Sequence, residues 1–334
     1  MRSCEQGEQG SGRPMSKAKR NAPNRNVPNY SAPNHNATLV GLLAIVLFSA
    51  IVSLVRITAQ NFGATLGAAL IYTLTAVVMW VIRRPKRLRS LPLRYLLVCG
   101  TLFVVYEVSV GLAVGLAHNA TQALEVSVVN YLWPTLMVLL SLIGRRFTAK
   151  TWLVIPGALL ASLGTAFVVG GDAGLNPASI AAHIASNPVP YALAFGGAVT
   201  WAVYSVITPR ISEGHDGITL FLTGVAVALW IVHFLTGSVP QHAHTAGIGA
   251  YIVLVAAALV IGAGYACWDA GIMRGNLTVL GSASYAAPVL SSAIGALALG
   301  ASLTVSFWQG VVLVVVGSLI GWWATKDASA EPKS

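Results

Sequence analysis

Ten apolar segments of roughly 20 residues, the length that crosses ~30 Å of hydrocarbon, follow one another along the chain. They cover about 39–60, 63–82, 95–117, 121–143, 152–170, 189–211, 217–236, 247–273, 278–298 and 306–324. A backbone in hydrocarbon has to satisfy its polar groups internally, so each segment predicts a membrane-spanning helix. The expected class is an all-α integral membrane protein. Ahead of the first segment, residues 1–36 are rich in Asn, Pro, Ser and basic residues, with Ala22-Pro23-Asn24, Val27-Pro28-Asn29 and Ala32-Pro33-Asn34 in regular succession. That composition buries too little surface to offset its ordering entropy and predicts a disordered tail. Residues 327–334 form a second tail. The stretches 117–121, 171–188 and 237–246 are expected as loops on the face opposite the termini.

The fourth segment carries Asn130-Tyr131-Leu132-Trp133-Pro134. Pro134 has no N–H for the carbonyl four residues back, and its ring clashes with that carbonyl. The carbonyl belongs to Asn130. Unpaired backbone at membrane depth is tolerated where it is buried in protein or lines a wet cavity, so this helix is expected to look into a cavity. The ninth segment repeats the pattern (Asn/Ser)-Tyr-x-x-Pro-x-Leu, with Ser284, Tyr285, Pro288 and Leu290 in the places of Asn130, Tyr131, Pro134 and Leu136. Pro134 and Pro288 are the predicted helix breaks.

Helical spacing then selects polar and aromatic stripes. The first segment offers Ser49, Ser53, Arg56 and Gln60, and the third Phe103, Tyr106 and Glu107. The sixth offers Trp201, Tyr204, Ser205 and Thr208, and the eighth Tyr265, Trp268 and Asp269. On an undistorted helix at ~100° per residue, Trp133 lies nearly opposite Tyr131, so only a break at Pro134 lets both face one cavity. The candidate substrate-binding set is Ser53, Arg56, Tyr106, Glu107, Asn130, Tyr131, Trp133, Trp201, Tyr204, Tyr265, Trp268, Ser284 and Tyr285. Trp80, Trp230, Trp322 and Trp323, near segment ends, fit the aromatic belts of a membrane interface.

Only 9% of the 334 residues are charged and 56% are hydrophobic, against roughly 25% charged in soluble domains. The net charge of +10 could suggest nucleic acid, but its placement reads as topology. Arg56 alone among the Lys and Arg residues falls deep inside a segment, Arg210 standing at the very end of the sixth. The others precede the first, follow the tenth, or lie between the second and third, fourth and fifth, sixth and seventh, and eighth and ninth. With ten crossings these all share one face, which the positive-inside rule makes cytoplasmic. Arg56, Glu107, Glu125 and Asp269 are the ionisable groups within segments, where such groups are costly and usually functional or paired. Arg56 is open to two readings, a ligand for a substrate carboxylate or a structural partner of Glu107 or Glu125. Cys4, Cys99 and Cys267 have no disulfide or metal spacing, and His242 and His244 lack further ligands nearby except His233. The sequence has no phosphate-binding loop, so no cofactor, metal or enzymatic chemistry is expected.

The repeat extends beyond the prolines. Ala50, Ser53, Leu54 and Val55 correspond to Ala202, Ser205, Val206 and Ile207. Tyr106 and Gly111 correspond to Tyr265 and Ala270, and Trp152 with Ala161-Ser162-Leu163 to Trp308 with Gly317-Ser318-Leu319. The order holds across five segments against five, giving repeats at 37–172 and 189–326. An odd number of crossings per repeat forces opposite orientations, the inverted repeat of secondary transporters, with the site at the repeat interface. Two fused five-helix repeats of this kind resemble the EamA-like branch of the drug/metabolite transporter superfamily. The Asn130–Pro134 motif is similar to that of its aromatic amino acid exporters, over about residues 38–326. The resemblance implies ten helices as two inverted repeats around a central cavity. It implies alternating-access export of aromatic and other neutral amino acids across a bacterial inner membrane, both termini being cytoplasmic. Both repeats in one chain fit a functional monomer in lipid. Export of cationic aromatic drugs or other small metabolites is the alternative, with an intramembrane enzyme or sensor behind it.

Overall fold

The computed structural model describes residues 34–83, 91–141, 143, 151–171, 175–213, 215–236, 246–275, 280 and 283–325. Residues 1–33 of the first predicted tail, the second tail, the basic stretches 84–90 and 144–150, and the positions Asp172 and His242 lie outside the described residues. So does the Asp269 side chain. Among the described residues the chain is helical, without strands.

The helices are α1 (His35–Phe62), α2 (Ala64–Arg83), α3 (Leu93–Gly115), α4 (Ala120–Asn130), α5 (Trp133–Ser141), α6 (Val154–Gly170), α7 (Pro177–Ser186), α8 (Pro188–Ile211), α9 (Ile218–Thr236), α10 (Ile248–Arg274), α11 (Ala287–Leu299) and α12 (Val305–Thr325). Seven described helices are long and apolar enough to cross a membrane: α1, α2, α3, α8, α9, α10 and α12. The apolar helices α6 and α11 are shorter.

Two boundaries differ from the sequence expectations. α1 starts at His35, inside the stretch assigned to the tail, because the Asn34 side chain accepts from the N–H groups of Asn36 and Ala37 at 2.9 and 3.3 Å. Such a cap satisfies donors that a helix start leaves orphaned. The segment 171–188 is not a plain loop. It contains α7, capped by Asn176, which accepts from Ala178 N–H at 3.0 Å, with Pro177 opening the first turn. The fourth apolar segment is two helices, α4 and α5.

Packing proceeds by antiparallel pairs. α2 lies along α9, joined by three cross-helix hydrogen bonds. Thr65 Oγ1 meets His233 Nδ1 at 3.0 Å, Trp230 Nε1 donates to Thr73 Oγ1 at 2.9 Å, and Trp80 Nε1 donates to Thr223 Oγ1 at 3.0 Å. Numbers rise on α2 as they fall on α9. Trp80 and Trp230 therefore hold helices together as well as sitting near helix ends. α6 packs on α12 through glycines, Gly157 against Gly317 and Gly164 against Gly310. α1 pairs with α10 and α3 with α8. Small residues let backbones approach closely, which is how helices associate where lipid removes the hydrophobic drive. One contiguous buried cluster, with Phe103, Ile71, Met79, Leu222 and Leu229 fully enclosed, joins α2, α3 and α9.

Candidate functional site

The centre of the molecule is defined by two helix breaks with the same hydrogen bonding. α4 stops at Asn130, Tyr131 and Leu132 turn, and α5 resumes at Trp133. Leu132 N–H donates to the Val129 carbonyl at 3.2 Å, and Leu136 N–H to the Leu132 carbonyl at 3.0 Å. In the ninth apolar segment Tyr285 and Ala286 turn, and α11 begins at Ala287. Ala286 N–H donates to the Ala283 carbonyl at 2.9 Å, and Leu290 N–H to the Ala286 carbonyl at 3.0 Å. Pro134 and Pro288 sit in the opening turns of α5 and α11, where a missing N–H costs least. The ladder positions that would serve the Asn130 and Ser284 carbonyls are these prolines, which cannot donate.

Next to the first break stands an aromatic wall. Trp201 of α8 is flanked by Tyr106 of α3, with ring centroids 4.4 Å apart, and by Tyr204, stacked at 4.8 Å and 20°. Trp133 meets Trp201 edge-on, at 6.4 Å and 87°. Tyr106, Trp133, Trp201 and Tyr204 are all half-buried. Behind them lies Phe103, fully buried, with its ring 6.0 Å from Trp201, 5.8 Å from Tyr204 and 5.6 Å from Tyr265. Tyr265 continues to Phe48 at 5.3 Å, and Phe48 to Trp268 at 6.4 Å. The break also brings Asn130 to this wall. Its Nδ2 lies 3.5 Å from the Tyr106 hydroxyl, while its Oδ1 is buried with no hydrogen-bond partner. A side chain on Gly197 of α8 would put its Cβ 3.6 Å from that Oδ1, so the absent side chain leaves the acceptor room. A buried acceptor left unmet costs about 1–3 kcal/mol, and ligand donors are the natural relief.

Glu107, one residue along from Tyr106, is buried and fully engaged. The Tyr72 hydroxyl of α2 donates to one carboxylate oxygen, and the Tyr265 hydroxyl of α10 to the other. This carboxylate ties three helices together behind the wall. Glu125 of α4 is likewise taken. Tyr191 donates to it at 2.5 Å, and His183 of α7 lies 3.8 Å away. Arg56 therefore pairs with neither carboxylate, and the structural-partner reading from sequence is corrected. Glu107 has two tyrosines nearer to hand and Glu125 one. Arg56 instead donates from Nη1 to the Gly115 carbonyl at 3.2 Å, at the end of α3.

Of the candidate set, the structure brings together Tyr106, Asn130, Trp133, Trp201 and Tyr204, with Glu107 and Tyr265 joined through Phe103. Trp268 is reached only through Phe48. Tyr131 is half-buried against the core, near Ser291 of α11. Ser284 donates to the Leu280 carbonyl at 2.9 Å, and Tyr285 is buried with its ring 6.5 Å from Trp322 of α12. Ser53 and Arg56 are buried on α1. The tyrosine of the second break thus packs toward α12 and not onto the Trp201 wall. Phe48, Tyr72, Phe103 and Tyr191 complete the surroundings without having been candidates. Phe103 shares the stripe with Tyr106, which was the signal available for it. Among the described residues no group of three His, Cys, Asp or Glu could hold a metal ion.

Residues 189–322 match the EamA-like transporter family. The chain is 44% identical over 292 residues, 87% of its length and 98% of the relative's, to the aromatic amino acid exporter YddG of Salmonella typhimurium. It is 42% identical to that of Escherichia coli with the same coverage. The exporter YddG of Ancylobacter novellus is 32% identical over 202 residues, 54% of this chain and 64% of the relative. A crystal structure 26% identical in sequence superimposes with a TM-score of 0.60, over 88% of this chain and 98% of its own.

Proposed function

This chain belongs to the EamA-like transporter family, and on that premise we propose that it exports aromatic and other neutral amino acids from the cytoplasm. The observation that carries the proposal is the half-buried Trp201 wall beside the unmatched acceptors of Asn130. A substrate ring lies against Trp201, Tyr106 and Tyr204, contacts worth ~0.5–1.5 kcal/mol per aromatic pair beyond area burial. Its ammonium donates to Asn130 Oδ1 and to the carbonyl that Pro134 leaves open. Glu107, the acidic group that an exporter of cationic drugs would offer, is already engaged by two tyrosines. That arrangement favours a zwitterionic substrate.

Ten crossings in two inverted repeats are part of the same reading, with α4 and α5 together as the fourth crossing and α11 within the ninth. The packing supports it. α2–α9 and α6–α12 each join corresponding crossings of the two halves. Exchanging the halves turns α1–α10 into α8–α3, α2–α10 into α9–α3, and α1–α11 into α8 against α4 and α5, all of which are contacts in this structure. Alternating access then moves one half against the other around the site. The basic residues set both termini in the cytoplasm of a bacterial inner membrane, and one chain carries a complete site.

The test is flux of radiolabelled phenylalanine from liposomes holding only this protein. Release faster than from protein-free liposomes is the expected result, and equal release would contradict the proposal. In the same assay Pro134→Ala restores the missing donor and mends the break. Turnover is expected to fall about tenfold or more for phenylalanine and threonine alike, a barrier change of ~1.4 kcal/mol for the first factor of ten.

A further inference from the structure

Arg56 and Ser53 stand one turn apart on α1, and neither is satisfied by the protein. Arg56 is 6% exposed and Ser53 2% exposed. Among the described residues Arg56 makes a single hydrogen bond, to the Gly115 carbonyl, its Nε is buried without a partner, and so is Ser53 Oγ. Among the described residues no carboxylate lies within 4.0 Å of its guanidinium. A guanidinium always carries its charge and offers five donors in a fork that matches a carboxylate. One buried carbonyl does not offset the desolvation of such a group. An orphaned Nε and an orphaned hydroxyl three residues apart on one helix are donors that a carboxylate could take.

The position separates this subsite from the Trp201 wall. Gly115 lies nine residues beyond Tyr106 on α3, ~13 Å along the helix axis at 1.5 Å per residue. That is further than one phenylalanine reaches from ring to carboxylate, so a molecule stacked on Trp201 does not touch Arg56. We infer that Arg56 and Ser53 form a second station on the transport path, which takes the carboxylate of the amino acid after it leaves the aromatic wall towards the α1 C-terminal end. The inference rests on the transport reading above and adds a stop and a chemical selection to it: an α-carboxylate is recognised there, so amino acid amides and amines are disfavoured.

The experiment is thermal unfolding of the purified protein in detergent, titrated with phenylalanine and, separately, with phenylalaninamide, which keeps the ring and amine but lacks the carboxylate. Stabilisation by mass action reports the affinity of each. The wild type is expected to prefer phenylalanine by about tenfold or more, the size of a charge-assisted pair. Ser53→Ala, a small change that leaves the fold intact, is expected to narrow that preference several-fold, and Arg56→Gln to abolish it. Equal affinities in the wild type, or an unchanged preference in Ser53→Ala, would overturn the subsite. So would an Arg56→Gln that melts lower without ligand yet keeps the preference, since Arg56 would then serve only as the cap of α3. Liposome flux separates the two readings: a carboxylate preference without phenylalanine flux would overturn transport and leave the subsite standing.

Discussion

Gly164→Val is expected to strip the protein of most of its folded yield, and Gly310→Val to do the same. A Cβ on Gly164 would lie 2.5 Å from the Gly310 carbonyl oxygen and 2.7 Å from Val314 N. A Cβ on Gly310 would lie 2.5 Å from the Gly164 oxygen. The obstructing atoms are backbone, so no rotamer change relieves them. The helices have to move apart, and the contacts along α6 and α12 weaken together, since a gap of 0.5–1 Å already forfeits a quarter to a half of each dispersion well. About two turns along each helix, Gly157 and Gly317 are equally tight, with a Cβ on Gly317 2.4 Å from the Gly157 oxygen. Overpacking costs about 1–3 kcal/mol per site even where side chains can adjust, and more is expected here. Gly196 provides the control. It is exposed, and a Cβ added there would meet nothing within 4 Å, so Gly196→Val is expected to fold normally. Unfolding in graded denaturant checks the pair. Wild-type stability in Gly164→Val would show that the glycines are not what brings α6 and α12 together.

Glu107→Ala is expected to be the most damaging change at the centre of the molecule. It removes the acceptor of two buried hydroxyls, Tyr72 on α2 and Tyr265 on α10. Each stranded group costs about 1–3 kcal/mol, and α2, α3 and α10 lose their common tie. Tyr265 also backs Phe103, which supports Trp201 and Tyr204, so transport is expected to fall with stability. Glu107→Gln keeps one acceptor and a similar volume and is expected to recover much of both. Tyr72→Phe leaves the Tyr265 bond in place and is expected to be milder than Glu107→Ala. A Glu107→Ala protein of undiminished melting temperature would show that the two tyrosines find other partners.

What could be seen in the sequence followed from one-dimensional rules. Runs of apolar residues mean helices, because hydrocarbon leaves few other ways to satisfy a backbone. A proline inside a run announces the interruption at Tyr131 and Leu132, because its missing N–H acts within its own helix. Pairings between helices are invisible at that level. Nothing in the third segment says that Glu107 faces Tyr72 and Tyr265 rather than Arg56, since those residues come from α2 and α10. Likewise, Tyr131 and Trp133 share a motif, yet the turn between them leaves one near Ser291 and the other against Trp201. The apolar pattern hides α7, which is only ten residues long and buries none of them. Its start is nonetheless written in Asn176-Pro177, a cap followed by a proline in the first turn.

Recognition of substrate rings by the Trp201 wall is tested most directly by one measurement: the ratio of phenylalanine to threonine flux in liposomes, for the wild type and for Trp201→Ala. Trp201 touches Tyr106, Tyr204, Trp133 and Phe103, so its loss opens the wall without removing it. Losing a stacked ring is worth about 0.5–1.5 kcal/mol, a factor of up to about ten, and threonine has no ring to lose. Phenylalanine flux at sub-saturating concentration is therefore expected to fall several-fold further than threonine flux, so that the ratio drops. An equal loss for both amino acids would make the rings scaffold and contradict ring recognition at Trp201.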